Sequence, residues 1–242
     1  MHRERDTKLA IPRSRDSIRR DAYLLRVKLG LKHELYFDII RFLEIVLPVA
    51  DPEFCLEVVD DTDEEVSGIQ AEYIPRLNVI RVKQSVYDAA VRGHWWARST
   101  LAHELGHYYY HDEHNVRYAK LAPLEKVPPD FDPERQANVF AAELLVPIHL
   151  IEGMSAKQIG DTCVVPYAIA DRQLRSLERV KKRQNRKKPQ RKNGQAKKPD
   201  RRPEQKFHPL HGRKTVSGLT MMGSNVIVAH FFPPCKMFLY NI

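Results

Sequence analysis

Cysteine is scarce: Cys55, Cys163 and Cys235 lie far apart, and no two of them form a CxxC pair. That excludes a disulfide framework and a thiolate metal site, so each thiol is expected to be a small buried side chain in a reducing compartment. An uninterrupted apolar run is also missing. The most apolar stretches are Ile39 to Ala50, broken by Arg41 and Glu44, and Val226 to Tyr240, broken by His230, Pro233, Pro234 and Lys236. Neither supplies the roughly 20 apolar residues that span a bilayer. Met1 to Asp21 is crowded with Arg and Asp and lacks the apolar segment of a secretory signal. A cytoplasmic protein with no membrane partner is expected.

What is present is enough apolar material, 43% of 242 residues, to build one main core. The net charge of +9 is concentrated in one segment. Lys181 to Lys214 holds 15 Lys and Arg against two acids, while the remainder has 25 basic and 29 acidic residues. This segment reads as a disordered linker over 181–215, because its composition cannot bury enough apolar surface to offset chain entropy. It can also neutralise phosphates and so bind nucleic acid, although no aromatic residue for base stacking appears in it before Phe207.

Residues 1–20 read as a polar, poorly ordered arm. Asp21 to Leu31 and Leu35 to Leu47 have apolar positions at helical spacing. Phe54 to Val59, Gly68 to Tyr73 and Asn78 to Val82 read as strands of a small antiparallel sheet, with the acidic turn Asp60 to Glu65 after the first. Ser85 to Arg92, Trp95 to His111 and Pro133 to Leu145 read as helices. The result is an α+β domain over 21–150, with the sheet packed on helices. Ser155 to Thr162 and Tyr167 to Val180 outline a helix-turn-helix-like pair over 151–180. Residues 216–242 turn apolar again without a clear period, and an extra strand packed on the main domain is one reading.

Chemistry concentrates in His103-Glu104-Leu105-Gly106-His107. Helical residues rotate by about 100° each, so His103 and His107 share a face one turn apart. Two imidazoles so placed can reach one zinc ion at about 2.0–2.1 Å and leave room for a third ligand and water. Glu104 beside them can take a proton from water that the metal acidifies and pass it to a departing amine. Leu101 and Leu105 pack this helix on a core. Gly106 costs about 1 kcal/mol of helix propensity, so something needs space against its backbone.

The candidates for a third ligand are His111, His114, Glu113, Glu134 and Glu143. His111 lies about 12 Å along the helix from His103, too far to share an ion with it. The longer metzincin pattern is absent, since Tyr110 and Glu113 stand where its Gly and His belong. His111 and His114 read better as groups that orient neighbours or sit at the helix end. Glu134 opens the next helix on a face continued by Ala137, Asn138 and Ala141, small enough to lie close to the first helix. Glu143 falls about half a turn away and reads as a solvated charge. Tyr73 and Tyr118 are candidates to stabilise a developing oxyanion.

Tyr73-Ile74-Pro75, Asn78-Val79-Ile80, Thr100 to His107, and then Glu134 with Ala137-Asn138 and Phe140 to Pro147 resemble the ImmA/IrrE metallopeptidase family. The similarity runs from about Asp21 to Glu178. It implies zinc held by His103, His107 and Glu134, with Glu104 as general acid and base. It also implies a helix-turn-helix repressor as protein substrate and a helix-turn-helix-like subdomain after Pro147. Nothing in Lys181 to Ile242 resembles the sensory module that some relatives carry. The other class consistent with the basic segment is a DNA-binding regulator whose zinc site is structural or vestigial.

Overall fold

Ser14 starts the first helix by turning its hydroxyl to accept from the backbone N–H of Ser17, and α1 then runs Arg15–Lys28 with Ile18, Ala22 and Leu25 buried. The computed structural model describes residues 5–187 apart from 113 and 122–125. Ahead of α1, β1 (Arg5–Ala10) pairs antiparallel with β5 (Val116–Leu121). Residues 5–10 and 15–20 therefore belong to regular structure, and the expectation of a poorly ordered arm is corrected. Of the polar side chains that suggested an arm, Arg13, Arg15, Asp16 and Arg19 are used in ion pairs.

The next helical stretch comprises α2 (Ile39–Arg41), a π-helical turn (Phe42–Val46) and α3 (Leu47–Ala50). Asp38 caps its start by accepting from Arg41 N. Pro48 lacks an N–H and its ring crowds the carbonyl four residues back, which favours the wider turn before it. Three strands follow: β2 (Cys55–Val59), β3 (Ala71–Ile74) and β4 (Val79–Lys83). Their order is β2-β4-β3. β3 and β4 form an antiparallel hairpin, but β2 runs parallel to β4. The sheet is thus mixed and not antiparallel as expected, because the long acidic connection after β2 lets the chain return before it forms the hairpin. Alternation of side chains carries no information about strand direction.

Helices α4 (Gln84–Val91) and α5 (Trp95–Tyr110) precede β5, and α6 (Pro133–Leu145), α7 (Ala156–Cys163) and α8 (Tyr167–Lys187) follow it. α5 is central, with Ala97, Leu101, Ala102, Leu105 and Tyr108 buried. One apolar cluster continues from Ile18 on α1 through α5 and α6 to Ile159, Cys163 and Ala170, so the α7–α8 pair shares the core of the domain before it. α8 also extends to Lys187, past the expected start of the linker at Lys181, because Lys, Arg and Gln are good helix formers. Residues 188–242, with the rest of the linker and the apolar tail, lie outside the described residues. Among the described residues no helix is long and apolar enough to cross a membrane. Cys163 is buried, its thiol pushed up to about 11 by burial, but Cys55 is exposed, which corrects its expected burial at the start of β2.

Glu143 is corrected too. It is 2% exposed and not solvated. Arg15 Nε and Arg19 Nε each lie 3.1 Å from its carboxylate, and the same arginines donate to Gln173 and Ser176 on α8. One buried carboxylate thereby ties α6 to α1 and α8. Glu143→Ala is expected to cost roughly 3 kcal/mol, the low end for breaking a buried pair, since both arginines retain some access to water. Thermal denaturation of the variant checks this, and an unchanged midpoint would contradict it.

Candidate metal centre

The site depends on how closely α5 and α6 approach. A Cβ built on Gly106 would stand 2.8 Å from Ala137 Cα and 3.0 Å from Ala137 O. Only hydrogen fits there, which identifies what needed space against the Gly106 backbone. Asp132 begins α6 by accepting from the N–H groups of Glu134 and Arg135, with Pro133 in the first turn. Glu134 therefore sits one turn before Ala137, level with the α5 histidines.

His103 Nε2 and His107 Nε2 lie 3.0 Å apart. Glu134 Oε2 is 3.2 Å from the first and Glu134 Oε1 is 3.4 Å from the second. Ligand atoms around a tetrahedral ion with bonds of about 2.0–2.1 Å stand roughly 3.3 Å apart. The three residues form a group that could hold a metal ion. Hydrogen bonding, foremost from His103, holds the Glu134 carboxyl well below the usual carboxylate range. At His103, burial opposes the charged form, but the hydrogen bond it donates to Glu134 and the charge of Glu104 outweigh it and raise the pKa. Asn138 donates to Glu134 O and also hydrogen-bonds His103 through its side chain.

Glu104 is 8% exposed, and burial raises its pKa. Tyr73 N on β3 donates to Glu104 Oε2 at 2.9 Å and fixes the carboxylate against the sheet. Sequence reading missed this contact, which any residue other than proline could make. Tyr73 does line the cleft, but its hydroxyl donates to Asn78 Oδ1 at 3.2 Å. Asn78 and Tyr108 both donate to Asp51 and anchor that corner. Tyr118 lies on β5, opposite Lys8 of β1. A cleft of about 570 Å³ opens beside His107 and Glu134, walled by Tyr73 to Arg76 on one side and by Lys8 and Val116 of the β1–β5 ribbon on the other.

His111 is buried at 5%, with its Nδ1 2.8 Å from His107 Nδ1, and burial lowers its pKa to about 4. Its Nε2 meets Gln136 Oε1 at 3.1 Å. The spacing of four between His107 and His111 was the signal for the first contact. Gln136 had no signal of its own. His114 is exposed, its backbone N–H bonded to Asp112.

Two histidines of one helix and a carboxylate from the next make up a donor set that metallopeptidases use, with a buried glutamate placed between the histidines as a base. Residues 97–183 match the model of the IrrE N-terminal-like domain of the M78 peptidases, which is consistent with the resemblance to the ImmA/IrrE family. The match extends from α5 into α8 and leaves the three-stranded sheet outside it. No curated protein matches the chain.

Proposed function

We propose that the chain is a zinc-dependent endopeptidase that cuts a helix-turn-helix repressor. The hydrolytic part is carried by the convergence of His103, His107 and Glu134 at 3.0–3.4 Å beside the buried Glu104. Two imidazoles and one carboxylate are a donor set that suits zinc and leaves a position open. Bound there, zinc supplies polarisation of the scissile carbonyl and acidifies water. Glu104 takes the proton from the attacking water and delivers it to the departing amine nitrogen. The Tyr73 N–H holds one carboxylate oxygen, so the other is the one that carries the proton. β3 lies at the edge of its sheet, and an extended substrate segment added along that edge would be presented to the site.

A structural zinc would call for four protein ligands and no base. Three converging ligands with Glu104 beside them weigh against a purely regulatory protein. The repressor as substrate rests on the family resemblance. Its test is incubation of the zinc-loaded chain with the helix-turn-helix protein encoded beside its gene. One cut is expected, seen as two fragment masses, blocked by a chelator and restored by zinc. A repressor left intact by the zinc-loaded chain would sink the proposal.

The basic segment over 181–214 is proposed to hold the enzyme near DNA-bound substrate by neutralising phosphates, which raises local substrate concentration. Deleting it should abolish DNA retention at low salt, and unchanged retention would count against this role.

Zinc must displace the proton that the metal-free site favours on His103. Because that pKa is raised, zinc affinity should already decline as pH falls through the raised value, by about 10-fold per pH unit for each proton displaced. Chelator competition at a series of pH values, with calorimetry in buffers of different ionisation enthalpy, measures the slope and the protons released. A pH-independent affinity across that range would contradict it.

A further inference from the structure

Gln136 is fully buried on α6, and its Nε2 donates to two backbone carbonyls, Ile11 O at 2.8 Å and Asp130 O at 2.7 Å. Carbonyl oxygens only accept, so these contacts settle which end of the amide is which. Gln136 Oε1 then faces His111 Nε2 at 3.1 Å and can only accept, so the His111 proton resides on Nε2. At the other side of the ring His111 Nδ1 lies 2.8 Å from His107 Nδ1. Two nitrogens at that distance share one proton, and His111 has already placed its own elsewhere.

We propose that Gln136 and His111 are positioning residues that set the tautomer of His107. Gln136 fixes His111 as the Nε2–H form, the bare His111 Nδ1 accepts from His107 Nδ1–H, and His107 Nε2 is left with its lone pair toward His103 and Glu134. That is the form of imidazole that can ligate a metal. A ligating histidine commonly donates its other N–H to a carboxylate, a backbone carbonyl or water. Here the acceptor is a second imidazole, and its orientation is traced through one amide to the backbone just after β1 and just before α6. The relay is sealed from solvent at both of its members, so water does not compete for the protons. Neither Gln136 nor His111 touches the proposed ion, and both act through His107.

This inference rests on the zinc reading, and the two can fail separately. If the full-length wild-type chain binds no zinc, the zinc reading fails. If it does bind zinc, the relay is tested by comparing zinc affinity, measured by competition with a chromophoric chelator, among wild type, His111→Phe and His111→Asn. Phe removes the acceptor, and affinity should drop by about 10- to 100-fold. Asn offers an oxygen near the place of Nδ1, and affinity should return close to the wild-type value. Long-range ¹H–¹⁵N spectra of the zinc-loaded wild type should show the His111 proton on Nε2 and the His107 proton on Nδ1. A His111 proton on Nδ1, unchanged affinity in His111→Phe, or equal weakening in Phe and Asn variants would overturn the relay. If the Phe variant does not fold, the spectrum and the near-wild-type affinity expected of the Asn variant decide it.

Discussion

Glu104→Gln is expected to lower peptide cleavage by roughly 10²- to 10⁴-fold, the range for losing a general acid and base, while the chain keeps its zinc. The amide is close in shape to the carboxylate and its oxygen still accepts from Tyr73 N, the contact that fixes the side chain at 2.9 Å. It cannot exchange a proton. Turnover of the proposed repressor substrate, measured beside metal content by mass spectrometry, separates loss of the base from loss of the site. Full turnover in the variant would remove Glu104 from the mechanism. Burial raises the Glu104 pKa in the metal-free chain, so its carboxyl should take up a proton there at a higher pH than an ordinary glutamate would.

Gly106→Ala tests how the site is assembled. Alanine is favoured over glycine in a helix by about 1 kcal/mol, so on propensity alone the variant would be more stable. The added Cβ, however, would meet backbone atoms of Ala137 at 2.8 and 3.0 Å. No rotamer change relieves a clash with backbone, so α5 and α6 must move apart, and overpacking of this kind costs about 1–3 kcal/mol. A net loss of up to about 2 kcal/mol is expected. The larger consequence is at the metal centre, because Glu134 moves with α6 away from both histidines. Zinc affinity should fall on the order of tenfold or more. Thermal denaturation with and without zinc reads both effects, and a variant that is more stable at unchanged affinity would refute the argument. Gly106→Val should be worse on both counts.

The parts of the site that could be read from sequence were those set by helical periodicity. His103 and His107 fall one turn apart on any helix, and Glu134 with Ala137 marked the face that has to approach Gly106. The same reasoning placed the three strands of the mixed sheet and most helices within a few residues, but not β1 or β5. It failed where backbone groups do the work. The Tyr73 N–H that holds Glu104 has no signature in residue type, and neither does the pairing of β1 with β5, because main-chain hydrogen bonds are open to nearly every residue. Charge was equally ambiguous. Arg15, Arg19 and Glu143 look like solvated residues until α1, α6 and α8 bring them together, and burial follows from partners more than a hundred positions away. Strand direction was out of reach for a similar reason: β2 alternates in the same way whether it runs parallel or antiparallel to β4.

The β1–β5 ribbon has a consequence for the order of events during synthesis. Arg5–Ala10 is made long before its partner strand, Val116–Leu121, and the next carbonyl along, Ile11 O, waits for Gln136. At roughly 5–20 residues per second this is a delay on the order of 10 s. During that interval one wall of the cleft is missing, and the carboxylate of Glu134 has not been made. The proposed metal centre would thus be complete only after most of its own domain has been translated.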